Sequence, residues 1–153
     1  MIGAVLSLGG AYDQIRWFGQ GPFETYWDRR SGGKAAIHKS DAAAMYAPYL
    51  KPQECGNLSG VRWLEVTDAN GKGIRFSSDE ELEYSVLPYR AAELESASHR
   101  HKLPQTGQRA VVRINAAQMG VGGDDSWGSR THPEYTLYAN RQYAYSFRIR
   151  VVD

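Results

Sequence analysis

Cysteine is nearly missing from this sequence: Cys55 is the only one among 153 residues. No intrachain disulfide and no cysteine-based metal centre can therefore form. A chain of this length buries a core without such staples. One thiol fits a reducing compartment, which points first to a cytoplasm and leaves a periplasm open. An excess of one charge is missing too: 18 basic and 17 acidic side chains leave a formal charge of +1. The longest purely basic run is Arg29-Arg30. Nucleic-acid binding needs a concentrated positive footprint, so no nucleic-acid partner is expected. No apolar run approaches the roughly 20 residues of a membrane-crossing helix, so no membrane partner is expected either. Met1 to Leu8 is apolar but short, with no positive leader before it, and reads as a strand and not as a signal peptide. With 42% hydrophobic and 23% charged residues, disorder is excluded and one domain over residues 1–153 is expected.

What is present is the punctuation of an all-β protein. Glycine (16) and proline (6) recur between short runs rich in Val, Ile, Tyr, Trp and Phe. The predicted strands are Ile2–Leu8, Gln14–Phe18, Val61–Thr67, Gly73–Ser77, Glu83–Pro88, Ala110–Asn115, Tyr135–Tyr138 and Tyr143–Val151. Leu64 and Val66 fall on one face of their strand. Tyr143, Tyr145, Phe147, Ile149 and Val151 share a face opposite Ala144, Ser146, Arg148 and Arg150, the pattern of a half-buried strand. Asn70-Gly71 lies in the turn joining two strands and supplies the positive φ angles of a tight hairpin. Helix is scarce. Ala91–Ala97 predicts a short one, and Asp41–Met45 a single turn capped by Asp41. Two long segments, Gly19–Lys34 and Tyr49–Gly60, lack periodicity; such loops in a compact domain are usually functional or form interfaces.

Candidate chemistry is sparse. Asp124-Asp125 is an adjacent acidic pair. Neighbours on an extended segment point to opposite faces, so the pair caps a turn after Gly122-Gly123 more readily than it straddles a glycosidic bond. His99-Arg100-His101 would place two imidazoles on one face of a strand. No further ligands follow at a useful spacing, and Arg100 opposes a cation. His99 or His101 with Glu54 is the only acid–base pairing to consider for an isomerase-like reaction. Gly120-Val121-Gly122-Gly123 lacks the ending of a phosphate loop, and no nucleophile-elbow pattern occurs. The aromatic content, four Trp and ten Tyr, is more telling, because the CH-rich faces of sugars pack on flat rings. Trp127, in a loop after Gly-Gly-Asp-Asp-Ser, is either a ligand platform or an anchor pinning that loop.

Three blocks carry a resemblance. They are Trp17-Phe18-Gly19-Gln20-Gly21-Pro22-Phe23-Glu24-Thr25-Tyr26-Trp27-Asp28-Arg29, Met45-Tyr46-Ala47-Pro48-Tyr49-Leu50-Lys51-Pro52-Gln53-Glu54-Cys55-Gly56-Asn57, and Gln118-Met119-Gly120-Val121-Gly122-Gly123-Asp124-Asp125-Ser126-Trp127. In this order they resemble the C-terminal domain of family 2, lacZ-type bacterial β-galactosidases. Ser98-His99-Arg100-His101 and Tyr143 to Arg148 fit the same pattern, whereas Cys55 stands where that family often has Asn. The resemblance implies an antiparallel β supersandwich, galactose mutarotase-like and here a partial copy, since the family's domain is about twice as long and this chain matches its second half. It implies a parent enzyme that hydrolyses terminal β-D-galactosides with retention. The catalytic glutamates would lie in a separate TIM-barrel domain, so no catalytic residue is expected in this chain. Magnesium and sodium would belong mainly to other parts of the parent. Carried over residue by residue, Trp127 would line the sugar site on the aglycone side, with Gly122, Gly123, Asp124, Asp125 and Ser126 shaping its loop. The expected partners are a β-galactoside, the remaining domains of the parent and, for the isolated chain, a second copy of itself. A stand-alone carbohydrate-binding module is the alternative.

Overall fold

A computed structural model describes residues 1–125 and 127–153. Seven strands form one antiparallel sheet: β1 (Ile2–Gly9), β2 (Gln14–Gly19), β3 (Ala36–Asp41), β4 (Leu58–Thr67), β5 (Gly73–Leu87), β6 (Arg109–Ala117) and β7 (Arg148–Val152). The sheet order is β1-β6-β5-β4-β2-β3, with β7 added beside β5. Among the described residues, helix is confined to α1 (Ala91–Ser96) and two 3-10 turns, Arg100–Lys102 and Pro133–Tyr135. The all-β antiparallel class expected from the sequence is what the chain adopts.

β5 organises the sheet. Its first part, Gly73 to Ser77, runs between β4 and β7; its second part, Glu83 to Leu87, lies beside β6. The sheet thus divides into two wings that share one strand. Apolar side chains from both wings enter a single hydrophobic cluster: Ile15, Trp17, Leu64, Val66 and Phe76 from one, Tyr84, Val86, Val112 and Ile114 from the other. The alternation read in β4 holds, since Leu64 and Val66 are both fully buried. The outer face of the first wing carries the register row Ile37, Phe18, Trp63, Ser77. There Trp63 is flanked by the guanidinium groups of Arg75 and Arg16, 4.3 and 5.3 Å from its ring centroid. Such stacking screens an exposed aromatic from water without burying a charge.

Several elements differ from the sequence-based expectation. Gly73–Ser77 and Glu83–Pro88 are one continuous strand, not two. β3 is an edge strand whose one large apolar residue, Ile37, faces solvent, so its alternation carries almost no hydrophobic signal. Tyr135–Tyr138 is not a strand; Pro133 instead starts a 3-10 turn. Of Tyr143–Val151 only Arg148–Val152 pairs, because β5 offers it partners only from Gly73 to Ser77. Tyr143, Tyr145 and Phe147 are still half-buried on the expected face, while Ile149 and Val151 are exposed. In the hairpin at Asp68–Lys72 only Gly71 takes a positive φ (84°), so Asn70 does not share that role. The Asp68 carboxylate accepts from the N–H groups of Asn70 and Lys72 and sets the turn. Asp41 caps its turn as expected, accepting from the N–H groups of Ala43 and Ala44 at 2.9 and 2.8 Å.

Candidate functional site

The two long loops and the segment after β6 meet beside β4–β5–β6. The first loop is tied to the second through Thr25 and Asn57. Thr25 N–H donates to Asn57 O at 2.7 Å, and Asn57 Nδ2 returns a bond to Thr25 O at 2.9 Å. Thr25 Oγ1 also accepts the Ser59 N–H, so this buried threonine couples the loop to β4. Glu24 accepts the Gly56 N–H at 2.7 Å and binds Arg29 and the Tyr49 hydroxyl through its other oxygen. Burial first, and then the hydrogen bond to Glu24, push the Tyr49 phenol up, against the opposing pull of the Arg29 cation. Gly56 has φ +72°, and a Cβ there would stand 2.7 Å from the Met45 carbonyl, so this close turn requires glycine.

The third segment rests on the first loop. Asp28 Oδ2 accepts the Gly122 N–H at 2.8 Å, and Trp27 Nε1 donates to Tyr135 O at 3.2 Å. Tyr135 O also accepts the Gly120 N–H. Farther along, Asp125 Oδ1 accepts the Trp127 N–H at 2.7 Å and the Ser129 N–H at 3.4 Å. The bond from Trp127 is the main reason the Asp125 carboxyl lies below the usual range. Asp124 turns the other way, to His132 Nε2 at 2.7 Å, and holds that imidazole's pKa above its ordinary value. The two aspartates therefore diverge, as their adjacency predicts. Each is committed locally, one as a turn cap and one as a histidine partner.

Trp127 is 93% exposed. The ring is not covered by the described residues of this chain. The loop is held from below by backbone bonds, and the indole stands free above it. Gly122, Gly123, Asp124 and Asp125 all belong to this brace; Ser126 lies outside the described residues. Gly123 is required by space, since a Cβ would come within 2.4 Å of Ser129 O.

His99 and His101 lie at a 3-10 turn rather than on a strand, with rings stacked 5.5 Å apart, and His99 Nδ1 sits 3.1 Å from Ser98 Oγ. Glu54 does not meet them. Its carboxylate takes both oxygens to Arg113 Nη1, at 3.0 and 2.7 Å. The His–Glu54 pairing considered from the sequence is therefore not assembled. Among the described residues no three His, Cys, Asp or Glu side chains gather as a metal site. Cys55 is fully buried, and burial raises its thiol pKa to about 11, far from nucleophilic use at neutral pH.

The sequence reading passed over the polar residues under these loops: Glu24, Asp28, Asn57, Glu83, Arg113 and Asn115. One signal was available. Arg113 and Asn115 interrupt the apolar run of β6, and a buried polar residue is more informative than an exposed apolar one.

The architecture defines an all-β antiparallel domain whose loops converge to present one braced, exposed aromatic. Residues 1–149 match the model of the family described as Beta galactosidase small chain, and the chain belongs to that family. It is 46% identical over 149 residues to a beta-galactosidase of Priestia megaterium, covering 97% of this chain and 14% of the relative. It is 42% identical over 153 residues to a beta-galactosidase of Halalkalibacterium halodurans (99% and 15%), and 41% identical over 143 residues to beta-galactosidase BgaC of Bifidobacterium adolescentis (92% and 13%). The chain thus spans about one seventh of the length of these curated relatives.

Proposed function

We propose that residues 1–153 act as an accessory domain of a longer, lacZ-type family 2 β-galactosidase, as the second half of its C-terminal sandwich. The parent would cleave terminal non-reducing β-D-galactosides with retention, using two carboxyl groups supplied by a separate barrel domain. This domain would contribute Trp127 as a flat platform on the aglycone side of the sugar site. Gly122 to Ser126 would shape the loop beneath it. Magnesium and sodium would be held elsewhere in the parent, and the remaining parent domains would be its partners.

The observation that carries this reading is the exposed indole on a braced loop. An unanchored tryptophan in water costs apolar hydration, and a sugar face or a leaving group would relieve that cost. The names of the relatives and their much greater length support the accessory role. The test is Trp127→Ala in the full-length enzyme. Binding of glucose as an acceptor in transglycosylation is expected to weaken by roughly 5- to 150-fold, the equivalent of about 1–3 kcal/mol, with hydrolysis of an activated galactoside much less affected. Unchanged acceptor kinetics across several aglycones would refute the assignment.

A further inference from the structure

Glu83 lies on β5 beneath the point where the three loop segments meet. It is buried, and its Oε2 accepts from Asn57 Nδ2 at 2.6 Å. Asn57 is the residue that holds Thr25, and through it the first loop. The Gln118 backbone N–H, at the root of the third segment, also stabilises the Glu83 carboxylate. Across the sheet Glu83 is paired in register with Asn115, so the two side chains share a face. One carboxyl group therefore bonds to two of the three segments of the candidate site and reaches the first loop through Asn57.

We propose that Glu83 is a positioning residue for that site, a buried carboxyl whose hydrogen bonds to Asn57 and the Gln118 region fix how the 118–127 loop is presented. The proposal rests on the sugar-site reading above for its consequence in catalysis, and on the geometry alone for its hold on the loop.

The surroundings give this carboxyl two distinct states. Asn115 Oδ1 and Gln118 Oε1 are buried acceptors without a hydrogen-bond partner. A protonated Glu83 carries an O–H donor, whereas an ionised Glu83 only accepts, from Asn57 Nδ2 and the Gln118 N–H. Burial is the main cause that raises its pKa, to about 7, assisted by the charge of Asp28 and opposed by Asn57, Gln118 and Arg30. Arg113, two residues before Asn115 on β6, is engaged by Glu54 and does not neutralise Glu83 directly. Burial outweighs the two donors, so a loop that covers a neutral carboxyl is held most firmly below pH 7 and loosens above it, where opening hydrates the anion.

The experiment compares the full-length parent with its Glu83→Gln variant. Glutamine keeps the acceptor for Asn57 but cannot ionise. In the wild type the half-saturating acceptor concentration is expected to rise several-fold between pH 6 and 8; in Glu83→Gln it stays at the low-pH value. Equal pH dependence in both proteins overturns the proposal. Deuterium uptake by the 118–127 peptide of the wild type, corrected for intrinsic exchange, supplies a second measurement that needs no variant. Protection is expected to fall several-fold across pH 7, and unchanged protection overturns the proposal. Because this readout does not involve sugar, failure of the Trp127 assignment and failure of the Glu83 assignment give different results.

Discussion

The Arg113–Glu54 pair is lopsided, and the imbalance determines which half is costly to remove. The Arg113 side chain is 2% exposed while that of Glu54 is 33% exposed. Arg113 Nη2 is buried without a partner, so among the described residues Glu54 supplies the only charge compensation at the guanidinium. Removing Glu54 strands a buried cation, and breaking a buried pair in this way costs about 3–5 kcal/mol. Removing Arg113 strands a carboxylate that can turn to water. Arg113→Met, which refills most of the volume, is therefore expected to cost about 1 kcal/mol. The double substitution Glu54→Ala with Arg113→Met should recover most of the loss of Glu54→Ala alone, because the stranded charge is gone. Urea denaturation of the four proteins, followed by tryptophan emission and far-ultraviolet circular dichroism, reads the three differences. If Arg113→Met is the more damaging single change, or if the double variant is no better than Glu54→Ala, the assignment of the buried charge as the controlling feature is wrong.

Two further outcomes are expected. Gly120→Ala places a Cβ 2.6 Å from both Asp28 Oδ2 and Thr131 Oγ1, whereas Gly122→Ala meets Asp28 only at 3.4 Å. The former should dislodge Asp28 from the Gly122 N–H, cost about 1.5–3 kcal/mol and speed proteolysis within 118–131, with the latter close to wild type; equal digestion of the two variants would contradict this. For Glu83 the folded pKa of about 7 exceeds the ordinary 4.5, so the folded state holds the proton more tightly. Its contribution is fully present below pH 4.5 and is lost as pH rises through 7, a change on the order of 3 kcal/mol. The urea midpoint should fall from pH 5 to pH 8 in the wild type and move much less in Glu83→Gln; parallel curves would rule out Glu83 as the source.

Local pattern made much of the sheet legible. Leu64 and Val66 announced the inner face of β4, and Asp41 marked a turn by chemistry that acts within three residues. The divergence of Asp124 and Asp125 followed from their adjacency. What escaped is what depends on distant partners. Arg113 meets a carboxylate 59 positions earlier, and Asn57 meets Glu83 26 positions later. No periodicity encodes such pairings. β3 escaped for another reason: an edge strand with its apolar residue outward gives no burial signal. For the candidate loop, the sequence placed a tryptophan among turn residues but could not say whether its ring was covered; its exposure and the Asp28 brace came from the structure.

The pairing of β1 with β6, from Ile2 opposite Ala117 to Gly9 opposite Arg109, sets an order of events during synthesis. β1 leaves the ribosome more than a hundred residues before the first wholly complementary edge exists for it. At about 5–20 residues per second that interval is roughly 5–20 s. Throughout it, Ile2, Leu6 and Leu8 lack β6 as their partner strand. The hairpin of β4 and β5 closes locally and early, whereas the second wing waits for its last strand, so the topology favours slow, late closure. Crowding of polysomes or depletion of chaperones should therefore affect yield through β1, long before the mature surface has formed.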